Sequence, residues 1–198
     1  MSDIPMPPVP TEDTVPGGIP LLDSIASEVP DPGSNEVVII TGCSGAGRTG
    51  AARALEDLDW YVVDNLPPAM LPALVGMMSP DGGGVHRLAV VVDVRSREFF
   101  ADFARSLEQL RELGVTYRVF FLEASTETLV RRYESNRRPH PLQGDGTLLE
   151  GIHAEARALA PVRRSADVVI DTSGMSVHDL TRHIRDVIAD AGEVPLRI

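Results

Sequence analysis

The chain has 198 residues, enough for one domain with a substantial core, and its 43% hydrophobic and 24% charged residues are ordinary for a globular protein. No apolar run reaches the ~18 residues that a membrane span needs. The N-terminus lacks the basic and apolar regions of a secretory signal, and the single cysteine, Cys43, excludes an internal disulfide and a cysteine-built zinc site.

A reducing cytoplasm is the expected compartment, and no membrane partner is expected. The net charge is −11. Residues 1–34 hold Asp3, Glu12, Asp13, Asp23, Glu28 and Asp31 with no basic residue, which leaves −5 for the rest of the chain. Neither part has the basic surplus of a general polyanion binder. All 18 basic side chains are arginine, a bias that runs through the whole chain.

Residues 1–34 carry eight of the 16 prolines and little periodicity. They read as a disordered acidic tail that cannot bury enough apolar surface to offset its ordering entropy. The globular domain is expected over 35–192, with 193–198 as its C-terminal end.

Val37-Val38-Ile39-Ile40-Thr41 is a β-branched run that reads as a buried parallel strand. A helix follows over about 48–58, then a strand over 60–64. Asn65-Leu66-Pro67-Pro68 breaks that strand, and a helix starts near Pro68. Asp81-Gly82-Gly83-Gly84 reads as a loop, and residues 88–93 as a third strand. A helix over 97–113 stops at Gly114. Residues 117–122 form a fourth strand, and Ser125 is placed to cap a helix running towards Arg132. Further helices are expected over 147–163 and 176–191, with a fifth strand at 167–171 between them. Alternating strands and helices predict an α/β fold: a five-stranded, mainly parallel sheet flanked by helices, with no internal repeat.

Gly42-Cys43-Ser44-Gly45-Ala46-Gly47-Arg48-Thr49 joins the first strand to the first helix. This is the spacing and context of a Walker A loop in a P-loop NTPase of kinase-like plan. Glycines let the backbone curl around phosphate oxygens, and successive N–H groups make an anion site at the positive end of a helix. The Thr49 hydroxyl is a candidate Mg²⁺ ligand. Arg48 stands where Lys is usual: it binds phosphate, but as a planar fork in place of a compact point charge. Cys43 is either a small loop filler or, at a helix N-terminus, a thiol of lowered pKa.

Asp64 and Asp93 end apolar strands, where ligands of open α/β sheets bind. Asp93 follows Val90-Val91-Val92 in a Walker B pattern and is a candidate Mg²⁺ ligand; Asp64 is a candidate base or second-substrate residue. Arg131, Arg132, Arg137 and Arg138 surround Tyr133 ahead of His140-Pro141-Leu142. Such a segment reads either as a solvated basic face or as a lid whose guanidinium groups, Arg132 above all, neutralise transition-state charge. Catalytic candidates are therefore Arg48, Asp64, Asp93 and Arg132. Asp171-Thr172-Ser173-Gly174 is a turn or a purine-holding segment.

These segments occur in a fixed order: the 42–49 loop, Ala54-Leu55-Glu56-Asp57-Leu58, Val63-Asp64-Asn65-Leu66-Pro67, Asp93-Val94-Arg95-Ser96, then Arg131-Arg132-Tyr133-Glu134 with His140-Pro141-Leu142. Together, from about Val37 to Ala191, they resemble the N-terminal domain of the RapZ/YvcJ family of bacterial nucleotide-binding proteins, an RNase adaptor family. The resemblance implies binding of ATP and GTP with slow hydrolysis, the ATP loop at 42–49 and a GTP-contacting segment at Asp93, Val94, Arg95 and Ser96. In some members the full protein binds a small regulatory RNA and an amino-sugar phosphate, implicating a second domain that would begin about where this chain stops. RNA is therefore not an expected partner of this chain alone. Arg48, and Gly50 where small hydroxyl residues are common, depart from the family pattern. Three functions compete at this stage: a regulatory nucleotide-sensing domain with an unidentified protein partner, a small-molecule kinase, and an RNA-binding adaptor.

Overall fold

The computed structural model describes residues 36–78, 85–94, 97–136 and 139–190. The tail expected at 1–34, the loop at 81–84, Arg95, Ser96, Arg137, Arg138 and the end at 193–198 lie outside the described residues.

Strand β1 (Glu36–Gly42) is central and pairs with β3 (Arg87–Val92) on one side and β4 (Tyr117–Glu123) on the other. Strands β2 (Tyr61–Leu66) and β5 (Val168–Asp171) are the edges, in the order β2-β3-β1-β4-β5. Every pairing is parallel, so the sheet expected to be mainly parallel is wholly so. Val37, Val38, Ile39 and Ile40 are all buried, as are the consecutive Phe120 and Phe121. A strand covered on both faces has no polar side, which is why these segments read as unbroken apolar runs.

Helix α1 (Arg48–Glu56) carries the chain from β1 to β2, in the opposite direction to the later crossovers. Right-handed connection therefore puts α1 on one face of the sheet and α2 (Leu71–Gly76), α3 (Arg97–Glu112) and α5 (Leu148–Ser165) on the other. The packing agrees: α1 lies on α6 (Val177–Asp190), α3 on α2 and a 3₁₀ turn at Pro68–Met70, and α5 on β4 and α4 (Thr126–Asn136).

Several boundaries differ from expectation for local reasons. Helix α1 ends at Glu56, and the chain turns through Asp59, at φ 61, to bury Trp60. Strand β2 does not stop at Asp64. It continues to Leu66 through a register shift between Val63 and Leu66, with Asn65 at φ 57, a backbone angle asparagine tolerates. The helix expected from Pro68 is a 3₁₀ turn followed by one short α-helix. Ser125 caps α4 as expected, its hydroxyl accepting the Thr128 N–H at 3.3 Å, but the helix runs on past Arg132 to Asn136. Helix α5 opens on a reciprocal cap. The Thr147 hydroxyl accepts the Glu150 N–H, and Glu150 accepts the Thr147 N–H.

Candidate phosphate-binding site

The carboxyl end of β1 delivers the chain into the 42–49 loop. Gly42, Gly45 and Gly47 have φ of 136, 83 and 99, values that side-chain-bearing residues rarely adopt. Gly42 has a second constraint. A Cβ there would stand 2.0 Å from the Leu122 carbonyl oxygen, because β4 runs directly alongside and Leu122 O accepts the Cys43 N–H at 2.9 Å. Gly47 is the cap residue of α1 and offers no side-chain acceptor. The opening N–H groups of α1, beginning with those of Arg48 and Thr49, are thus left to a ligand at the positive end of the helix. A Cβ on Gly50, or on Gly47, would stand 3.2 Å from the Leu180 side chain of α6.

The candidate residues fall around this loop to different degrees. Arg48 opens α1 and is half-buried; Thr49 is exposed and lines a cavity of about 680 Å³ between the loop, α1, Thr172 and the start of α6. Asp93 directly follows β3, whose neighbour is β1 with Ile40 opposite Val91, so it emerges beside Gly42. It is half-buried, and Val94 behind it is buried. Asp64 is exposed on the bulge of the edge strand β2, with β3 between it and the loop strand. Arg95 and Ser96 lie outside the described residues. Among the described residues, no cluster of three or more His, Cys, Asp or Glu side chains forms a metal cage.

Arg132 is tied to backbone. Its Nη1 donates to the Gly45 carbonyl at 2.8 Å and the Thr172 hydroxyl at 3.1 Å, and its Nη2 to the Thr172 carbonyl at 2.8 Å. Burial and then Arg131 pull its pKa down from the usual guanidinium value, while Asp171 opposes them; Arg remains charged at neutral pH. The buried Thr172 hydroxyl donates to the Ala46 carbonyl at 2.9 Å, so the segment after β5 also touches the loop. Asp171 accepts the hydroxyl and then the N–H of Ser173, which hold its carboxyl below the usual carboxylate range.

Cys43 is buried and its pKa is raised to about 12, first by burial, then by the charges of Glu155 and Glu123, against a lowering by Arg48. It is a protonated filler, which leaves the reactive-thiol alternative without support.

The feature sequence reading missed is Glu155. It is 1% exposed, on the face of α5 that also buries Ile152, Leu159 and Val162. Its Oε2 accepts the Ser44 N–H at 2.8 Å and its Oε1 the Ser44 hydroxyl at 2.6 Å. His140, 2% exposed, places Nε2 3.2 Å from the same Oε2. Its Nδ1 accepts the Leu142 N–H at 3.1 Å, so the ring proton sits on Nε2 and points at Glu155. The available signal was a glutamate at a core position of an amphipathic helix, three residues after Ile152 and four before Leu159.

A wholly parallel sheet with a glycine-rich loop leading from its central strand into a helix defines the P-loop kinase-like α/β class. Solved structures share the fold: shikimate kinase of Acinetobacter baumannii in complex with shikimate has a TM-score of 0.52 at 18% identity, covering 78% of this chain and 93% of that one. The YorR protein of Bacillus subtilis in complex with phosphorylated GDP gives 0.53 at 12% identity, covering 80% and 99%. Residues 35–192 match the RapZ-like N-terminal domain, and the chain belongs to that family. A nucleotide-binding protein of Renibacterium salmoninarum is 53% identical over 84% of this chain, and one of Streptomyces coelicolor 54% over 82%. The chain spans about half the length of these relatives, 55% and 54% respectively. Among the described residues, no helix is long and apolar enough to cross a membrane.

Proposed function

We propose that this chain binds ATP and GTP, with Mg²⁺, through residues 42–49 and hydrolyses them slowly, as a regulatory nucleotide-sensing domain of the cytoplasm. One observation carries the reading. Three left-handed glycines lead into an uncapped helix N-terminus at the carboxyl end of the central strand, beside a cavity of about 680 Å³. Curled backbone, a helix dipole and adjacent space suit an anionic phosphate chain with a base attached. The names of the relatives, nucleotide-binding proteins, point the same way.

Thr49 and Asp93 are the residues we assign to Mg²⁺, which when bound neutralises phosphate charge. Arg48 holds the terminal phosphates, and Thr172, Met175 and Ser176 border the cavity that would take the base. Asp93 and Val94 follow β3 on the loop side of the sheet, consistent with nucleotide contact. A sensor is favoured over an efficient kinase because Arg132, the lid arginine expected to neutralise charge, is engaged with the carbonyls of Gly45 and Thr172. The nucleotide-bound state would be read by a protein partner, with RNA recognition left to other parts of the family's longer proteins.

The test is equilibrium binding of ATP and GTP, with and without Mg²⁺, to the wild type and to Thr49→Ala. Magnesium-dependent binding that the substitution weakens by roughly tenfold or more is expected. No binding of either nucleotide by the wild type at millimolar concentration would end this reading. Turnover accelerated by an added phosphoryl acceptor would establish the kinase in its place.

A further inference from the structure

Among the described residues, Glu155 is the only fully buried carboxylate. None of the groups donating to it is a fixed cation: they are the Ser44 N–H, the Ser44 hydroxyl and His140 Nε2. A carboxylate in that position is costly to bury, and an apolar residue on the stripe of Ile152 and Leu159 would pack at no such cost. What the glutamate supplies is direction. Both of its oxygens are spent on one residue of the phosphate loop, so the loop's second turn position is fixed from behind.

The carboxylate is itself held. His140 presents its Nε2 proton because Leu142 occupies Nδ1. The 139–147 connection that carries His140 is pressed onto α5 at Gly151. There a Cβ would stand 2.9 Å from His140 Nδ1 and 3.1 Å from the Gln143 backbone. The Tyr133 ring packs against His140 with centroids 5.0 Å apart, and its edge lies 3.3 Å from where a Gly45 Cβ would be. The phosphate loop, the helix after β4 and the connection thus meet around the buried Ser44, His140 and Glu155. The rest of the connection is open: Pro141, Leu142, Gly144, Asp145 and Gly146 are exposed.

We infer that Glu155 is a positioning residue for the phosphate loop and that His140 orients it, so that the seating of the exposed 139–147 connection sets the loop's affinity for nucleotide. This inference rests on the nucleotide-binding reading above. Three hydrogen bonds accepted by Glu155, two from Ser44 and one from His140, join a surface segment to the backbone that would surround the phosphates. Small displacements of such backbone are costly to binding, because several N–H groups must converge on the same oxygens.

The experiment compares His140→Leu with His140→Gln in the full 198-residue chain. The glutamine amide nitrogen can replace the Nε2 donor; leucine cannot. Mg-ATP affinity is measured well below each variant's unfolding midpoint, and amide hydrogen exchange of residues 42–47 is measured without nucleotide. Leucine is expected to weaken Mg-ATP binding about tenfold or more and to speed exchange of the loop, with glutamine within about threefold of wild type. A merely structural role would lower both midpoints while leaving the affinity of the folded protein alone, and that result overturns the inference. If the wild type binds no Mg-ATP, the nucleotide reading fails by itself. Exchange then decides the positioning role: faster in the leucine variant supports it, unchanged ends it. If the leucine variant does not fold, Glu155→Gln, which removes one acceptor, is judged by the same two measurements.

Discussion

Arg132 Nη1 donates to the carbonyl oxygen of Gly45 at 2.8 Å, so a helix following the fourth strand grips the loop that follows the first. The same guanidinium reaches the hydroxyl and carbonyl of Thr172, joining three separate segments. Replacing Arg132 with alanine is expected to cost about 1–2 kcal/mol, the scale for losing charge-assisted hydrogen bonds at a partly exposed site. Lysine should not restore it, because one ammonium cannot reproduce the fork. Urea unfolding followed by the fluorescence of Trp60, the only tryptophan and a buried one, reads both variants. Wild-type stability in the lysine variant would refute the bridging role.

Gly42→Ala combines a forbidden backbone angle with a collision against the Leu122 carbonyl oxygen. A loss of roughly 3 kcal/mol or more is expected. Gly76→Ala is the control: the residue closes helix α2, nothing lies within 4 Å of its Cβ position, and a gain of roughly 0.5 kcal/mol is expected. The two substitutions change the same atoms, so opposite shifts in the urea midpoint isolate the local cause.

The raised pKa of Cys43 gives an alkaline signature. Its value moves from 9.0 to about 12 in the folded protein, so the native state holds this proton more tightly than the unfolded chain. The contribution is complete below pH 9, declines above it, and is gone once the pH passes the folded value. Wild type should therefore lose more stability than Cys43→Ala between neutral pH and pH 10.5. At pH 8 native Cys43 should alkylate with iodoacetamide at least ~100-fold more slowly than in the urea-unfolded chain. Rapid native alkylation would contradict the assignment of a buried, protonated thiol.

Thr147→Ala removes one half of the cap that opens α5 and should cost about 1 kcal/mol. The Glu150 carboxyl is held below its usual value by the backbone N–H of Thr147 and then by its hydroxyl. A lowered native pKa means stability present at neutral pH and lost as the pH falls through that native value. Acid titration of wild type against Glu150→Gln should show the wild type losing the larger share. Identical acid profiles would mean the carboxylate form contributes nothing.

The parts of the fold that depend on local pattern were legible in the sequence. The strands around Ile39, Val90 and Phe120 are continuous β-branched or aromatic runs, and the glycine spacing of residues 42–49 announces a tight loop between a strand and a helix. The β2 end was misread because Asn65-Leu66-Pro67 resembles a terminator, whereas a left-handed Asn65 inside the strand makes a bulge. Arg132 stood out as a member of an arginine cluster, but its carbonyl partners Gly45 and Thr172 are 87 and 40 residues away, and no periodicity encodes such a pairing. Glu155 was harder still. A glutamate in a helix ordinarily faces water, and only its place on the stripe of Ile152, Leu159 and Val162 marked it as buried.

The tie between Ser44 and Glu155 spans 111 residues of chain. A ribosome makes the chain from its N-terminus, so the phosphate loop leaves the exit tunnel long before the helix that braces it. Until then the loop can be held by β4 and Arg132, but Ser44 lacks its carboxylate acceptor. The brace on Ser44 therefore comes into being only when α5 has emerged and docked, 111 residues after the loop it steadies.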